Sequence, residues 1–173
     1  MPTIIEGQLK FEFPDNWQSS KFDEWSFYRN QFQKVCGGTK AIDILAVEPS
    51  VCFWNIEIKD YRRHRRTKTK IIDLADEIAL KVRDSLAAIV AARVNANETN
   101  EKNMARAALR CPRLRVVLHL ERPSKHSKLF PRAIDPANVQ QKLKQLIKAI
   151  DPHPLVLEMS RMNHVAWKVS SSN

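Results

Sequence analysis

Two apolar segments of the chain, 41–47 and 51–61, carry charged residues at positions where a buried strand normally has none. Asp43 stands between two isoleucines in the first segment, and Glu57 and Lys59 stand on either side of an isoleucine in the second. Burying a carboxylate or an ammonium group is costly unless the group is paired or coordinates a metal ion. These three residues are therefore the first candidates for a chemical function.

The spacing of these residues predicts that they lie close together. The second segment is rich in β-branched and aromatic residues, which indicates a β-strand. Side chains alternate across a strand, so Asn55, Glu57 and Lys59 share one face. A turn at 48–50 would pair the two segments and bring Asp43 beside Glu57. The expected result is two carboxylates and one ammonium group in a small space.

Such a cluster favours one kind of chemistry. Carboxylate oxygens are ligands that Mg²⁺ prefers, together with water and substrate phosphate. A neighbouring lysine can orient or deprotonate an attacking water, or stabilise charge that builds on a phosphate. The alternative is that Glu57 and Lys59 form an exposed pair on an edge strand while Asp43 pairs locally. Exposed pairs of that kind stabilise a protein by only about 0–1 kcal/mol.

The pattern of Asp43 followed by Glu57 and Lys59 in an apolar strand resembles the PD-(D/E)XK nuclease superfamily, which covers restriction-enzyme-like, Holliday-junction-resolving and repair nucleases. The resemblance implies that Asp43 and Glu57 hold Mg²⁺ or Mn²⁺ and that Lys59 assists the attacking water. It also implies a restriction-endonuclease-like fold. Ile42 stands where the family's motif has proline, and Glu24 is the candidate for a further, upstream metal ligand.

The charge of the chain indicates a polyanionic partner. The 173 residues carry a formal net charge of +10, and the sequence pI is about 9.8. Basic proteins bind nucleic acid by releasing its counterions, so DNA is the expected partner. A basic run follows the motif, although such runs also occur as solvated segments and localisation signals. The residues predicted to bind phosphates are Arg62, Arg63, Arg65, Arg66, Lys68 and Lys70. The loop at 122–132 is a second candidate.

The order of predicted elements indicates the fold class. The length fits a single domain, 1–173. Periodicity and breakers predict strands at 7–13, 41–47, 51–61, 113–121, 155–159 and 164–169, and helices at about 22–35, 71–94, 101–110 and 137–150. This order predicts an α/β protein with a mixed central β-sheet flanked by helices. The last strand is expected to pair with 155–159 or to lie at the sheet edge.

Several other classes of protein are disfavoured. Cys36, Cys52 and Cys111 cannot all pair, so we expect reduced thiols in a cytoplasmic protein. The sequence shows no signal peptide and no apolar run near the ~20 residues that cross a bilayer. With only three glycines there is no phosphate-binding loop or dinucleotide fingerprint, and the histidines lack zinc-site spacing.

The sequence therefore predicts a Mg²⁺-dependent DNA endonuclease in which Asp43, Glu57 and Lys59 are catalytic. The alternative is a catalytically silent nucleic-acid-binding module, or a protein-interaction subunit, on the same fold. Cleavage of both strands of a duplex would suit a homodimer, but no residue pattern decides the oligomeric state.

Overall fold

The computed structural model describes residues 1–63, 73–123 and 134–172. The described strands, in chain order, are β1 (Thr3–Glu6), β2 (Leu9–Glu12), β3 (Gln18–Lys21), β4 (Ile44–Glu48), β5 (Cys52–Asp60), β6 (Arg113–Glu121), β7 (Leu155–Leu157) and β8 (Lys168–Ser171). The described helices are α1 (Leu74–Asn95), α2 (Thr99–Ala108) and α3 (Pro136–Ile147).

The central sheet has the order β3-β4-β5-β6-β7 and is mixed. Strands β3, β4 and β5 are antiparallel, whereas β5, β6 and β7 are parallel. The register of β4 and β5 places Glu48 opposite Cys52, so the predicted turn at 48–50 joins them. The prediction of an α/β protein with a mixed central sheet is confirmed.

The two faces of the central sheet are covered differently, because β5 is buried on both sides. Phe53 and other side chains on one face pack against α1, α2 and α3 in one core. Trp54, Ile56 and Ile58 on the other face pack against a small sheet of order β1-β2-β8 in a second core. Helices therefore flank one face of the sheet, and three short strands cover the other.

Helices α1 and α3 begin at recognisable caps. The Asp73 side chain accepts a hydrogen bond from the N–H of Ala75 at 2.9 Å, which satisfies a free donor in the first turn of α1. Asp135 caps α3 in the same way, and Pro136 occupies the first helical position, where its missing N–H costs nothing. In the described ranges, no helix is long and apolar enough to cross a membrane.

The helix predicted at 22–35 is wrong. The structure has three short helical turns there, Phe22–Glu24, Tyr28–Phe32 and Val35–Gly37. The Phe22 N–H donates to the Asp43 carbonyl at 2.8 Å, and the Ser26 N–H donates to the Glu101 carboxylate of α2 at 2.6 Å. A continuous helix would direct the N–H groups of Ser26 and Phe27 to carbonyls four residues earlier, but both donate to the Glu101 carboxylate instead, so the helix does not form there.

The small sheet differs from the prediction because its strands come from distant parts of the chain. Local patterns do not predict β1, and β8 pairs with β2 rather than with β7. Leu9 on β2 lies opposite Ser171 on β8, and residues so far apart in sequence cannot be paired from local patterns.

Candidate functional site

The structure brings Asp43 and Glu57 together at the end of the β4–β5 ladder. Ile44 lies opposite Ile56, so the next position along each strand holds one of the two carboxylates. The Asp43 carboxylate accepts a hydrogen bond from the backbone N–H of Ile58, with 2.6 Å between Oδ2 and N. Asp43 is therefore fixed against the strand that carries Glu57.

Two lysines converge on the same carboxylates. Lys59 Nζ lies 2.8 Å from Glu57 Oε1 and 3.1 Å from Glu77 Oε1. Lys81 Nζ, from α1, lies 2.6 Å from Glu57 Oε1 and 3.6 Å from Asp43 Oδ1. The Glu57 side chain is fully buried, and its other oxygen, Oε2, has no hydrogen-bond partner among the described residues. We call these five residues the charge cluster.

Sequence reasoning missed the contribution of α1 to this site, because periodicity alone assigns Lys81 to the polar side of the helix, away from the core. Glu77, Lys81 and Ser85 follow one another at intervals of four residues, which places them on one helix face. The Ser85 hydroxyl accepts a hydrogen bond from the Ile42 N–H at 2.9 Å. This polar stripe within a helix whose inner face is otherwise apolar was the available signal.

Burial shifts the ionisation of the charge cluster. Burial, assisted by the charge of Asp43, raises the pKa of Glu57 to about 7 against the opposing effect of Lys59 and Lys81. Burial also raises the pKa of Asp43, although Lys81 and the Ile58 N–H lower it. Burial alone would lower the pKa of Lys59, but the carboxylates of Glu57 and Glu77 hold it above its ordinary value. Glu57 therefore changes its charge near neutral pH.

A cleft of about 480 Å³ opens beside the charge cluster. Asp23, Arg29, Lys40, Asp43 and Lys81 contribute to its walls. Burial raises the pKa of Asp23, and the charge of Asp43 adds to that shift. Asp23 Oδ1 is buried and lacks a hydrogen-bond partner in the described part of the chain. The cleft thus gives solvent and small solutes a route to Asp23 and Asp43.

The structure does not bring Glu24 to this cleft. Glu24 is half exposed, with its Oε1 3.6 Å from Lys21 Nζ and 3.9 Å from Arg29 Nη2. It lines a separate cleft of about 740 Å³ together with Trp25 and Met104. The neighbouring acid, Asp23, is the one that faces Asp43.

The predicted phosphate-binding residues are only partly described. Arg65, Arg66, Lys68 and Lys70 lie outside the described residues, as do residues 124–132 of the second basic loop. Arg62 holds the Asp60 carboxylate with two hydrogen bonds, of 2.9 Å from Nε and 2.7 Å from Nη2, and a third joins it to Ser171. Arg63 is exposed. Arg62 therefore connects the end of β5 to β8.

The charge cluster does not fit the metal ion that the resemblance implies. Across 1–63, 73–123 and 134–172, no group of three or more His, Cys, Asp or Glu side chains could hold a metal. The carboxylates of Asp43 and Glu57 already share the ammonium of Lys81. Mg²⁺ or Mn²⁺ at this site remains a prediction from the sequence.

Comparisons with known proteins give one informative match. No protein-family model and no solved structure matches the chain. The chain is similar to the cysteine–tRNA ligase of Neisseria meningitidis serogroup A, with 34% identity over an aligned length of 211. The alignment covers 99% of this chain and 30% of the ligase, so the chain spans less than a third of that relative's length.

This match contradicts the function predicted from the sequence. The relative that aligns with nearly the whole chain is a ligase of cysteine and tRNA and not a nuclease. The prediction of metal-dependent DNA hydrolysis, and with it the description of the chain as a nuclease, endonuclease or hydrolase, is wrong. The motif of three charged residues is short, and the structure gives those residues a set of internal ion pairs instead.

Proposed function

We propose that this chain is a non-catalytic RNA-binding domain whose ligand is tRNA. The match of 99% of the chain to a cysteine–tRNA ligase carries the proposal. Because the matched region is 30% of that relative, a binding domain within a larger tRNA-handling protein explains the match more simply than the complete ligation reaction does.

The charge of the chain supports an RNA ligand. A net charge of +10 on 173 residues attracts a polyanion and releases its counterions on binding. Basic residues that contact phosphates position a nucleic acid without reading its sequence. A folded RNA such as tRNA offers this backbone in a fixed shape, which proteins recognise together with unpaired bases.

Two separate surfaces could contact the RNA. The first is the basic run predicted from the sequence, which begins after the carboxyl end of β5. The second is an arginine stripe formed by Arg106, Arg110 and Arg113, all exposed and without ion pairs to other described residues. Arg113 opens β6, which is parallel to β5, so this residue lies at the opposite end of the sheet from Arg62 and Arg63, which follow β5. We propose the basic run as the principal contact.

The scaffold is proposed to be restriction-endonuclease-like, as the sequence resemblance implies. An antiparallel pair, β4 and β5, followed by parallel β6 and β7 with helices on one face supports this assignment. The scaffold would then serve for binding without cleavage.

The test measures binding of labelled tRNA by fluorescence anisotropy, with duplex DNA of similar length as the competitor. We expect tighter binding of tRNA, and an affinity that falls steeply between about 50 mM and about 200 mM salt. Absence of binding at the lower salt concentration would refute the proposal and favour a protein-interaction subunit. Equal or tighter binding of DNA would refute the assignment to RNA.

Two matched variants identify the surface. Arg65→Ala, Arg66→Ala and Lys68→Ala together remove three charges from the basic run. Arg106→Ala, Arg110→Ala and Arg113→Ala together remove three charges from the arginine stripe. We expect the first variant to reduce the slope of log affinity against log salt by about 3, because three phosphate contacts are lost and each contributes roughly one. A larger loss of tRNA affinity in the second variant than in the first would show that the arginine stripe is the principal contact.

A further inference from the structure

We infer that the ammonium group of Lys81 is the resident counter-ion of the carboxylate pair formed by Asp43 and Glu57, and that it takes the place of a divalent cation there. The chain supplies its own positive charge from α1, so the pair needs no metal ion. Nothing in these contacts depends on tRNA binding.

The distances define the role of Lys81. Its Nζ is 2.6 Å from Glu57 Oε1 on β5 and 3.6 Å from Oδ1 of Asp43, the residue that precedes β4. Lys59 reaches the same Glu57 oxygen at 2.8 Å but turns to Glu77, at 3.1 Å, for its second partner. Lys81 is therefore the lysine that bridges the two carboxylates.

The charge balance disfavours Mg²⁺ or Mn²⁺ beside these lysines. Mg²⁺ binds carboxylate oxygens at about 2.0–2.1 Å with near-octahedral geometry. A dication at that distance from Glu57 Oε1 would lie beside two ammonium groups that already contact the same oxygen. Like charges in a partly buried site repel strongly because little solvent screens them. Binding would require Lys81 to leave.

The helix holds Lys81 in place. Four residues after Lys81, the Ser85 hydroxyl accepts a hydrogen bond from the Ile42 N–H at 2.9 Å. Asp84 accepts a hydrogen bond from the Lys40 N–H at 3.0 Å. These contacts attach α1 to the segment that leads into Asp43, so the ammonium group and the carboxylate are positioned together.

The carboxylates keep an unused capacity to bind a cation. Glu57 Oε2 has no hydrogen-bond partner in the described ranges, and the side chain is inaccessible to solvent, so water does not supply one either. Removal of the Lys81 ammonium would leave Asp43 Oδ1 and Glu57 without their shared partner, next to a cleft of about 480 Å³. One or two carboxylates completed by water are a sufficient protein contribution to a Mg²⁺ site.

The test compares thermal unfolding of the wild-type chain and three variants in EDTA and in millimolar Mg²⁺ or Mn²⁺. A ligand that binds only the folded state raises the melting temperature. We expect no metal-dependent rise for wild type and a rise for Lys81→Met, which keeps the length of the side chain but removes its charge. Addition of Asp43→Asn to Lys81→Met should abolish that rise. Lys59→Met is the matched control, and we expect no rise from it.

Two results would overturn the inference. One is a metal-dependent rise in wild type that Asp43→Asn removes, since the site would then accept a dication with Lys81 in place. The other is a folded Lys81→Met protein whose melting temperature is the same in EDTA, Mg²⁺ and Mn²⁺. If Lys81→Met does not fold, calorimetric titration of Mn²⁺ into wild type and Asp43→Asn decides the matter. Heat of binding in wild type alone refutes the inference, and its absence supports it.

Discussion

The hydroxyl of Ser85 on α1 accepts a hydrogen bond from the backbone N–H of Ile42, with 2.9 Å between Oγ and N. Both residues are fully buried, so no water can replace either partner. The bond attaches the middle of the long helix to the residue that precedes Asp43. It therefore couples the position of the helix to the geometry of the charge cluster.

Ser85→Ala leaves the Ile42 N–H without an acceptor in the core. An unsatisfied buried donor costs about 1–3 kcal/mol, and we expect the free energy of unfolding to fall by that amount. Urea denaturation of the variant and of wild type measures the change. Ser170→Ala on β8, where the side chain is exposed, is the control and should have almost no effect. A Ser85→Ala protein as stable as the control would contradict this role.

Glu57→Gln should change how stability depends on pH. Burial raises the pKa of Glu57 in the folded protein to about 7 from its ordinary value of 4.5. The folded state then binds more protons than the unfolded state between these values, so this residue lowers stability as the pH rises through that window. The free energy of unfolding of wild type, measured relative to that of Glu57→Gln, should fall by up to about 3 kcal/mol from pH 4.5 to pH 7.

The measurement for Glu57 is chemical denaturation of both proteins at several pH values across this window. Asp43, Glu77, Lys59 and Lys81 stay in both proteins, so the difference between the two curves reports the titration of Glu57 together with its effect on these neighbours. A difference that stays constant between the two pH limits would show that its pKa is not raised.

Asp151→Ala should be strongly destabilising. The Asp151 carboxylate is buried and accepts hydrogen bonds from the backbone N–H groups of Val116 and His153, both at 2.8 Å, and from Arg115 Nε at 3.3 Å. Loss of the acceptor leaves the buried Val116 N–H unpaired, and we expect a cost of about 3 kcal/mol. Asp135→Ala removes an exposed helix cap and should cost only about 1 kcal/mol. Equal melting temperatures for the two variants would refute this ranking.

Trp167→Ala should disrupt the core between the two sheets. Trp167 is buried, and its ring lies edge-on to Trp54 with 5.1 Å between centroids and is close to Phe13 and Trp17. Removal of the indole ring leaves a cavity that lowers the free energy of unfolding by about 3–5 kcal/mol. The near-ultraviolet circular dichroism of these packed aromatic rings should weaken as well. Trp167→Phe keeps most of the volume and should lose less. Similar losses in both variants would mean that packing volume is not what Trp167 provides.

Local sequence patterns are sufficient for the elements with strong periodicity. Strand β6 lies at 113–121 as predicted, because its apolar residues alternate and a proline precedes it. The sequence also predicts β5 and its pairing with β4, and this pairing places Asp43 beside Glu57. The turn between these strands is short, so their register follows from the sequence.

Features that depend on distant contacts could not be predicted in this way. Sequence periodicity places Lys81 on the solvated side of its helix, and only the packing of α1 on the sheet brings its ammonium group to Glu57. The aromatic residues at 22–32 have nearly helical spacing, but backbone bonds to Asp43 and Glu101 replace the helix. The sequence favours Glu24 as an upstream acid, whereas the fold turns its neighbour Asp23 into the cleft.

The pairing of β2 with β8 has a consequence for the order of folding. Leu9 and Phe11 lie opposite residues 171 and 169, so their strand gains its second neighbour only when the last part of this chain has been synthesised. Contacts over such separations form slowly because a long loop must close first. Until then the face of the central sheet that carries Trp54 lacks the cover that Trp167 and β8 provide, and a nascent chain that pauses at this stage offers part of an apolar surface to chaperones or to aggregation.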